Sequence, residues 1–412
     1  MTTETLIPAI VLFVLCACGG GGGTPQPETC VPVELPTSTD PNTMGAVVDS
    51  GPECVGHIDG LFTSVTLCEP GTSTCQTIDH LLVDTGSVGV RVLESELTMA
   101  LPTAISANGQ ALAECTPFVD GSSWGPVKIA DVILGGEFAV SLPIQLIGEG
   151  SYAVPANCTG TPANDSKTLA ANGILGLGVH LQDCGAACAQ PPTTMLNPGL
   201  YYACSSAQAC AVASVPVAQQ VAHPVAAFPI DNNGTIIQLP SVPAEGSPSV
   251  PGLLAFGIGT QPNNGLGAAT VLALDGQGRF TTTFPIGGIG YTSYLDSGSN
   301  GLFFLDAATA NLNQCTGGVK DFYCPASTAK LGATLSSSNG ASTTIVFSVA
   351  NPSTMSSEAF ALSNLAGPMP GFPLNPSVPG FDWGLPFFFG RTVYTAIEER
   401  NTPYGAGPYV AF

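Results

Sequence analysis

Two segments of this chain repeat one pattern, and the repeat limits the possible fold more than any other feature of the sequence. Residues 81–90 read LLVDTGSVGV, and residues 293–302 read SYLDSGSNGL. In each segment an apolar, strand-like run leads into Asp, a hydroxyl residue, Gly and Ser, and a second Gly and further apolar residues follow. Such self-similarity indicates two related structural units.

The similarity between the units continues beyond the two Asp segments. An apolar, glycine-containing stretch at 173–178 (GILGLG) begins 89 residues after Asp84, and another at 383–386 (WGLP) begins 87 residues after Asp296. A common internal layout predicts two related lobes. The length of 412 residues agrees with this, because it exceeds the usual size of a single core.

Composition predicts that the fold is mainly β. The chain contains 50 Gly and 36 Pro, and no long segment has a helical apolar period, which favours many short strands joined by turns. The expected division is an N-terminal lobe at 51–228, with the first Asp loop, and a C-terminal lobe at 229–412, with the second.

Net charge excludes one class of partner and suggests a working pH. Eight Lys and Arg residues face 29 Asp and Glu residues, which gives a net charge of −21. Nucleic-acid binding requires a basic surface, so no nucleic-acid partner is expected for this chain. Scattered acidic residues are typical of a soluble surface, and they also suit a protein that works at acidic pH, where few bases limit self-repulsion.

The N-terminal residues resemble a lipoprotein export signal. A short apolar run ends in LCAC, so residues 1–18 are predicted to be a signal peptide with Cys18 as the lipidated residue, followed by a flexible tether at 19–50. Gly19 after that cysteine favours the outer membrane, on its periplasmic face or at the cell surface. Residues 1–10 lack Lys and Arg, so either the true start lies upstream or the signal is atypical; a simple secretory signal is the competing interpretation.

The remaining twelve cysteines predict disulfides in an exported protein. Pairing of sequence neighbours gives Cys68–Cys75, Cys184–Cys188, Cys204–Cys210 and Cys315–Cys324, and it leaves Cys30–Cys54 and Cys115–Cys158, although spacing alone does not fix the connectivity. Zinc is the competing interpretation. It is disfavoured because the cysteine spacings lack paired C-x2-C motifs and the four His residues are dispersed.

The two Asp loops predict a specific chemistry. Gly86 and Gly298 permit tight loops that present Asp84 and Asp296. Thr85 and Ser297 are placed to bond across to the opposite loop, and Ser87 and Ser299 to orient the carboxylates. Two adjacent carboxyls share one proton, because like charges side by side make the second ionisation costly. The ionised member activates a water and the protonated member polarises an amide carbonyl, so neither metal nor cofactor is expected.

Residues 83–87 and 295–299 resemble the two active-site loops of the pepsin-like aspartic peptidases, whose catalytic Asp pair is the established example of a shared proton. The stretch 173–178 resembles the segment behind the first loop, 253–259 the opening of the second lobe, and 387–398 the closing strands. The resemblance runs from about residue 51 to the C-terminus. It implies a two-lobed pepsin-like fold with the active-site cleft between the lobes, a peptide or protein substrate and a monomer. The tether and cysteine layout also resemble a family of bacterial lipoproteins, which implies a lipid anchor in a membrane.

The resemblance also implies a β-hairpin flap at 118–125 that covers the substrate, with Phe118, Asp120, Gly121 and Trp124 as candidate flap residues. Phe118 stands where the family has a tyrosine, and Arg91 where a tryptophan often supports that tyrosine. Two interpretations of the aromatic residues stay open: Trp124 covers the cleft in place of the tyrosine, or Phe118 and Trp124 simply pack the hairpin.

Two other patterns are weaker. Residues 121–125 (GSSWG) fit the G-x-S-x-G elbow of serine hydrolases, but the surrounding pattern predicts a hairpin rather than strand, turn and helix. The four His residues share no spacing and are expected to be structural. Two hypotheses follow: an aspartic endopeptidase, or a lipoprotein that retains the scaffold and binds peptide or glycan without turnover.

Overall fold

Short strands dominate the structure, a computed structural model that describes residues 33–118, 121–285, 288–372 and 380–412. The mainly β prediction is confirmed. The N-terminal part forms eleven strands: β1 Thr43–Asp49, β2 Gly60–Cys68, β3 Cys75–Asp84, β4 Val88–Leu93, β5 Ala111–Pro117, β6 Gly121–Leu134, β7 Glu137–Ile147, β8 Thr161–Pro162, β9 Gly173–Leu177, β10 Tyr201–Ser206 and β11 Ala209–Val212.

The C-terminal part forms fourteen strands among the described residues. They are β12 Gly234–Leu239, β13 Val250–Phe256, β14 Val271–Ala273, β15 Phe280–Thr283, β16 Gly290–Leu295, β17 Leu302–Phe304, β18 Ala329–Ser336, β19 Ser342–Val349, β20 Ala366–Gly367, β21 Phe381–Trp383, β22 Arg391–Ala396, β23 Asn401–Thr402, β24 Gly405–Ala406 and β25 Tyr409–Ala411.

The helices of the described residues are single turns. Two are α-helical, α1 Ser166–Leu169 and α2 Ala307–Ala310, and each begins after an Asp whose side chain accepts backbone N–H bonds of the first turn. The 3-10 turns are Pro52–Cys54, Glu94–Glu96, Val217–Gln219, Val225–Ala227, Gly317–Val319, Pro352–Thr354 and Leu385–Phe387. Within the described ranges, no helix has the length and apolar character that a bilayer crossing requires.

One large sheet joins the two parts of the chain. Its order is β11-β10-β5-β6-β7-β4-β9-β3-β2-β1-β13-β12-β22-β25-β14, and β8 pairs with β6 at the side of this path. The join is the antiparallel pairing of β1 with β13. A second sheet, β19-β18-β15-β16-β21-β17-β20, lies wholly in the C-terminal part. The main apolar core draws its side chains from both parts.

The strand that ends at each Asp loop has the same surroundings in both parts. In the first, β3 pairs in parallel with β9, β9 in antiparallel with β4, and β4 in parallel with β7. In the second, β16 pairs in parallel with β21, β21 in antiparallel with β17, and β17 in parallel with β20. The stretches 173–178 and 383–386 therefore take equivalent positions, as their spacing in the sequence indicated.

The structure corrects one boundary. Residues 19–50 were expected to be tether, yet β1 lies inside that range, between β2 and β13. The physical reason is its apolar run, because Ala46, Val47 and Val48 are fully buried in the sheet. The rest of the predicted tether before residue 33, the signal peptide and Cys18 lie outside the described residues. The lobe ranges 51–228 and 229–412 stay predictions.

Five of the predicted disulfides are confirmed: Cys68–Cys75, Cys115–Cys158, Cys184–Cys188, Cys204–Cys210 and Cys315–Cys324. Cys54 is also disulfide-bonded. Its expected partner, Cys30, lies outside the described residues, so that pairing stays a prediction.

Candidate active site

Asp84 ends strand β3, and the turn after it supplies the carboxylate with donors. The backbone N–H groups of Gly86 and Ser87 donate to Asp84 Oδ1 at 2.7 and 3.2 Å. The Ser87 hydroxyl donates to Asp84 Oδ2. Three donors from one tight turn fix the orientation of this carboxyl, which is the role predicted for Ser87.

Asp296 follows strand β16 in the same way. The Gly298 N–H donates to Asp296 Oδ1 at 2.8 Å, and the Ser299 hydroxyl lies 2.9 Å from Asp296 Oδ2. The backbone N–H of Asp296 donates to the carbonyl of Trp383 at 3.1 Å. Strand β21, which ends at Trp383, therefore holds the second loop from behind.

The two loops are bonded to each other. The Thr85 N–H donates to Ser297 Oγ at 3.1 Å, and the Ser297 N–H donates to Thr85 Oγ1 at 2.9 Å. The Ser297 hydroxyl in turn donates to the carbonyl of Val83 at 2.7 Å. The predicted bonding of Thr85 and Ser297 across the loops is present.

The glycines permit the two carboxyls to approach. A Cβ on Gly86 would lie 2.6 Å from Asp296 Cγ, and a Cβ on Gly298 would lie 2.8 Å from Asp84 Oδ1. Each carboxyl therefore packs directly on the glycine of the opposite loop, where no side chain fits. This explains why both loops need glycine at the second position after Asp.

Electrostatics distinguish the two carboxyls. Burial raises the pKa of Asp296 well above its ordinary range, and the charges of Asp84 and Asp382 raise it further. Burial also raises the pKa of Asp84, but hydrogen bonds from Asp296, Ser87 and Gly86 oppose the shift. The proton that two adjacent carboxyls share therefore belongs mainly to Asp296, and Asp84 is the more easily ionised member.

Neither carboxyl is open to solvent. Asp84 and Asp296 are both 0% exposed, and so are Ser297 and Ser299. A substrate or a catalytic water therefore needs more space at the carboxyls than this structure provides.

Asp382 is a third buried carboxyl beside the pair, and the sequence interpretation did not identify it. It lies in the middle of β21 and is 1% exposed, and its Oδ2 is 2.7 Å from Ser299 Oγ. Burial raises its pKa well above the ordinary range. Its only sequence signal is an acidic residue between two large aromatic residues, Phe381 and Trp383.

The hairpin predicted as a flap is the β5–β6 hairpin, and it is held on several sides. Strand β10 pairs along β5, strand β8 pairs with Gly121 and Ser122, and the Cys115–Cys158 disulfide ties β5 to the segment before β8. A Cβ on Gly121 would lie 2.3 Å from the Thr161 carbonyl oxygen. Asp120 lies outside the described residues.

Both aromatic residues of the hairpin pack inside it. Trp124 is 3% exposed, its ring meets Tyr202 edge-on with centroids 5.2 Å apart, and its Nε1 donates to the Tyr152 carbonyl at 2.9 Å. Phe118 is buried in an apolar cluster with Leu93 and Ile147. Of the two interpretations left open by the sequence, the structure therefore favours packing: the Trp124 indole is buried against Tyr202 of β10 and the Tyr152 backbone, and it does not cover a cleft.

Arg91 anchors this hairpin instead of supporting its tip. Its guanidinium is buried and donates to Glu114 Oε1 at 3.0 Å, to Asp183 Oδ2 at 2.9 Å and to Thr116 Oγ1 at 3.2 Å. Glu114 and Thr116 belong to β5, so the ion pairs join β4 to the hairpin. The charge of Arg91 also opposes the rise in the pKa of Asp84.

A small cavity of about 70 Å³ adjoins both Asp loops. Its lining includes Gly86 of the first loop and Tyr294 and Leu295, which precede Asp296. Arg279 contributes a guanidinium and His180 an imidazole to its lining. His180 is paired with Glu398 at 3.0 Å, whereas the half-buried guanidinium of Arg279 forms no ion pair within the described part of the chain.

Two weaker sequence patterns have structural explanations. The GSSWG motif lies within strand β6, and the Ser123 hydroxyl is buried and donates to Gln145 Oε1 at 2.9 Å, so it forms no exposed elbow. In the described ranges, no group of three or more His, Cys, Asp or Glu side chains is placed to hold a metal ion.

A family model and solved structures match this chain, but they establish no activity for it. No curated protein matches the chain. One similar solved structure is an aspartic proteinase from Irpex lacteus, with 13% identity and a TM-score of 0.47, over 90% of this chain and 96% of that one. The family model described as "Protein of unknown function (DUF3443)" matches residues 38–412, which is most of the chain. The chain therefore belongs to the DUF3443 family.

Proposed function

We propose that the protein is an aspartic endopeptidase with Asp84 and Asp296 as its catalytic pair. The observation that carries the proposal is the mutual bonding of Thr85 and Ser297, which holds two buried carboxyls against each other's glycine. A pair fixed in this way shares one proton, and its members differ in pKa because their surroundings differ.

The roles follow from those surroundings. Asp84 has three donors on its carboxylate and is the base that takes a proton from the attacking water. Asp296 keeps the shared proton and donates it to the amide carbonyl oxygen as the tetrahedral intermediate forms. The raised pKa of Asp296 retains this proton to higher pH than an isolated Asp would, and activity is lost when pH rises past that value.

The cavity beside the loops suggests where one substrate group binds. Gly86 and Leu295 place the cavity next to the two Asp loops, although neither Asp lines it, and Arg279 in its wall has no ion-pair partner among the described residues. A carboxylate of the substrate is the group that a half-buried guanidinium binds best. We therefore propose a preference for peptides with an acidic side chain or a terminal carboxylate on this side of the scissile bond.

A second candidate function is binding of peptide or glycan without turnover. One observation favours it: both carboxyls are 0% exposed, and the hairpin that would open above them is held by two neighbouring strands and a disulfide. A hairpin fixed in this way preserves the shape of a ligand site, but it slows the opening that substrate entry and product release require.

The test is hydrolysis of an unbiased peptide library from about pH 3 to about pH 7, with and without the transition-state mimic pepstatin. Cleavage that pepstatin inhibits is expected, and Asp84→Asn and Asp296→Asn should each lower it by about 10²-fold or more while the circular dichroism spectrum is unchanged. Cleavage retained in both variants would contradict the proposed pair. Pepstatin binding without cleavage by the folded wild type would establish the second function.

We also propose that the protein is an exported lipoprotein anchored through Cys18 to the outer membrane. Five disulfides among the described residues support an oxidising compartment. Labelling with a palmitate analogue is expected for the wild type and not for Cys18→Ala; equal labelling of both would exclude this site.

A further inference from the structure

Asp382 and Asp296 share a single hydroxyl. Ser299 Oγ lies 2.9 Å from Asp296 Oδ2 and 2.7 Å from Asp382 Oδ2, and all three side chains are buried. A serine hydroxyl has one hydrogen to donate, and an ionised carboxylate can only accept. Both contacts are hydrogen bonds only if one of the two carboxyls carries a proton and donates it to Ser299.

The donors around each carboxyl indicate which one is protonated. Asp296 Oδ1 accepts the Gly298 N–H, and the proton of Asp296 is shared with Asp84, so it is not the proton donated to Ser299. Asp382 relies on Ser299, because its Oδ1 is buried without a hydrogen bond from any described residue. A buried carboxylate with so few donors among the described residues is unstable as an anion, so Asp382 is the carboxyl that donates a proton to Ser299.

The other groups that face Asp382 reinforce this. Tyr294 lies beside it with a buried hydroxyl that makes no well-formed hydrogen bond to the described residues, and the Asp84–Asp296 pair, which carries one negative charge, lies near it. No Lys, Arg or His forms an ion pair with Asp382 in the described ranges. Burial and the nearby negative charge favour the neutral acid of Asp382, and they outweigh the hydroxyls of Ser299 and Tyr294, which favour its anion.

We propose that Asp382 is a protonated third carboxyl of the site, which donates to Ser299 and thereby fixes the Ser299 hydroxyl as a donor to Asp296. It acts as a positioning residue, since it acts on the pair through Ser299. If Asp382 ionised, Ser299 would turn to it and Asp296 would lose this donor. Asp382 thus controls the protonation of the pair, and this catalytic consequence rests on the proposed peptidase function.

The protonation itself can be tested without any activity. An Asp that stays protonated when folded but ionises near pH 4 when unfolded makes stability fall as pH rises. The ratio of the unfolding constants of wild type and Asp382→Asn, from urea titrations of the full chain, should therefore rise about tenfold per pH unit above about pH 4. Asp321→Asn, at an exposed Asp of the same lobe, should show no such trend.

A ratio that does not change with pH would mean that Asp382 is ionised in the folded protein, and it would overturn the proposal. If Asp382→Asn does not fold, the same titration is done with Asp382→Ser, which also cannot ionise. The outcome is read from stability alone, so it stands even if the wild type cleaves nothing.

An activity measurement tests the positioning role. The Asn amide can donate to Ser299 in place of the carboxylic acid, whereas Leu cannot. Asp382→Asn should therefore retain about tenfold more kcat than Asp382→Leu, with similar KM, because one hydrogen bond at the reacting carboxyl is at stake. Equal kcat in the two variants would contradict the role in positioning, and absence of wild-type cleavage would count against the proposed function instead.

Discussion

The Thr85 hydroxyl accepts the Ser297 backbone N–H while the Ser297 hydroxyl accepts the Thr85 backbone N–H, so each residue closes a hydrogen bond of the other at 2.9 and 3.1 Å. Both residues are buried, and the loops they join come from different halves of the chain. These two reciprocal hydrogen bonds fix the position of one Asp loop, and hence of its carboxyl, relative to the other.

Removal of one of these hydroxyls should therefore destabilise the protein. In Thr85→Val the buried Ser297 N–H loses its acceptor, and we expect a loss of about 1–3 kcal/mol in the free energy of unfolding. Ser297→Ala should give a similar loss, and the double variant should lose less than the sum because the two bonds depend on each other. Urea unfolding measures all three. Thr344→Val, on the outer strand β19, is the control and should change stability little; full additivity would contradict the coupling.

The Arg279 cavity predicts a substrate preference. Arg279→Gln should lower kcat/KM for peptides with a carboxylate near the cleaved bond about tenfold relative to their amide analogues, because a charge-assisted hydrogen bond is lost. Peptides with an internal acidic side chain and peptides with a free C-terminus separate the two carboxylate sources. Lys330→Gln, at an exposed cation outside the cavity, should leave the preference unchanged. If the protein binds without turnover, the same peptide pairs are compared by calorimetry. Equal preference of the wild type and Arg279→Gln would contradict the role of Arg279 in binding a carboxylate.

A buried histidine predicts acid sensitivity. Burial lowers the pKa of His223 from its ordinary 6.5 to about 4. The unfolded protein binds this proton at higher pH than the folded one, so stability is present above pH 6.5 and is lost as pH falls towards about 4. His223→Leu should remove this part of the acid-induced loss. Between pH 6.5 and about pH 4, the free energy of unfolding of the variant should therefore rise by up to about 3 kcal/mol relative to that of the wild type. Thermal unfolding across this range tests it, and parallel curves would contradict it.

The Cys115–Cys158 disulfide, which closes a long loop, should contribute more stability than the Cys204–Cys210 disulfide, which closes a short one. Cys115 and Cys158 are 43 residues apart, whereas Cys204 and Cys210 are 6 apart. The chain-entropy model gives about 4 kcal/mol for the longer loop and about 2 kcal/mol for the shorter. Paired Ser substitutions at each bridge, compared by urea unfolding, test this order. A reversed order would mean that the Cys115–Cys158 bridge does not restrict the unfolded chain as its length implies.

Much of the site was predictable because it depends on local sequence. A strand that ends in D-[ST]-G-S folds into the same turn in both halves, so the orientation of Asp84 and Asp296 and the bonding of Thr85 to Ser297 followed from two short segments. The five disulfides followed from pairs that are mostly close in sequence.

The features that were missed depend on partners distant in the chain. Asp382 meets Ser299, 83 positions earlier in the chain, only because β21 pairs with β16, and an acidic residue in an aromatic strand gives no sign of this. Trp124 was a candidate for covering the cleft, because the residues near it in the sequence do not reveal that strands β8 and β10 pair with the hairpin and enclose it. Strand β1 resembled tether because its own residues do not reveal that β13 pairs with it.

Strand β1 has one consequence for how the molecule reaches this state. Its first partner, β2, follows it directly, but its second, β13, begins at Val250, and Thr43 finally lies opposite Ala255. Until that distant stretch is available, the edge of β1 is an open template of unpaired backbone groups. Contacts of such long sequence separation slow folding. The two halves are therefore expected to mature together in one late, slow step, and premature association through the open edge of β1 is the principal hazard on the way.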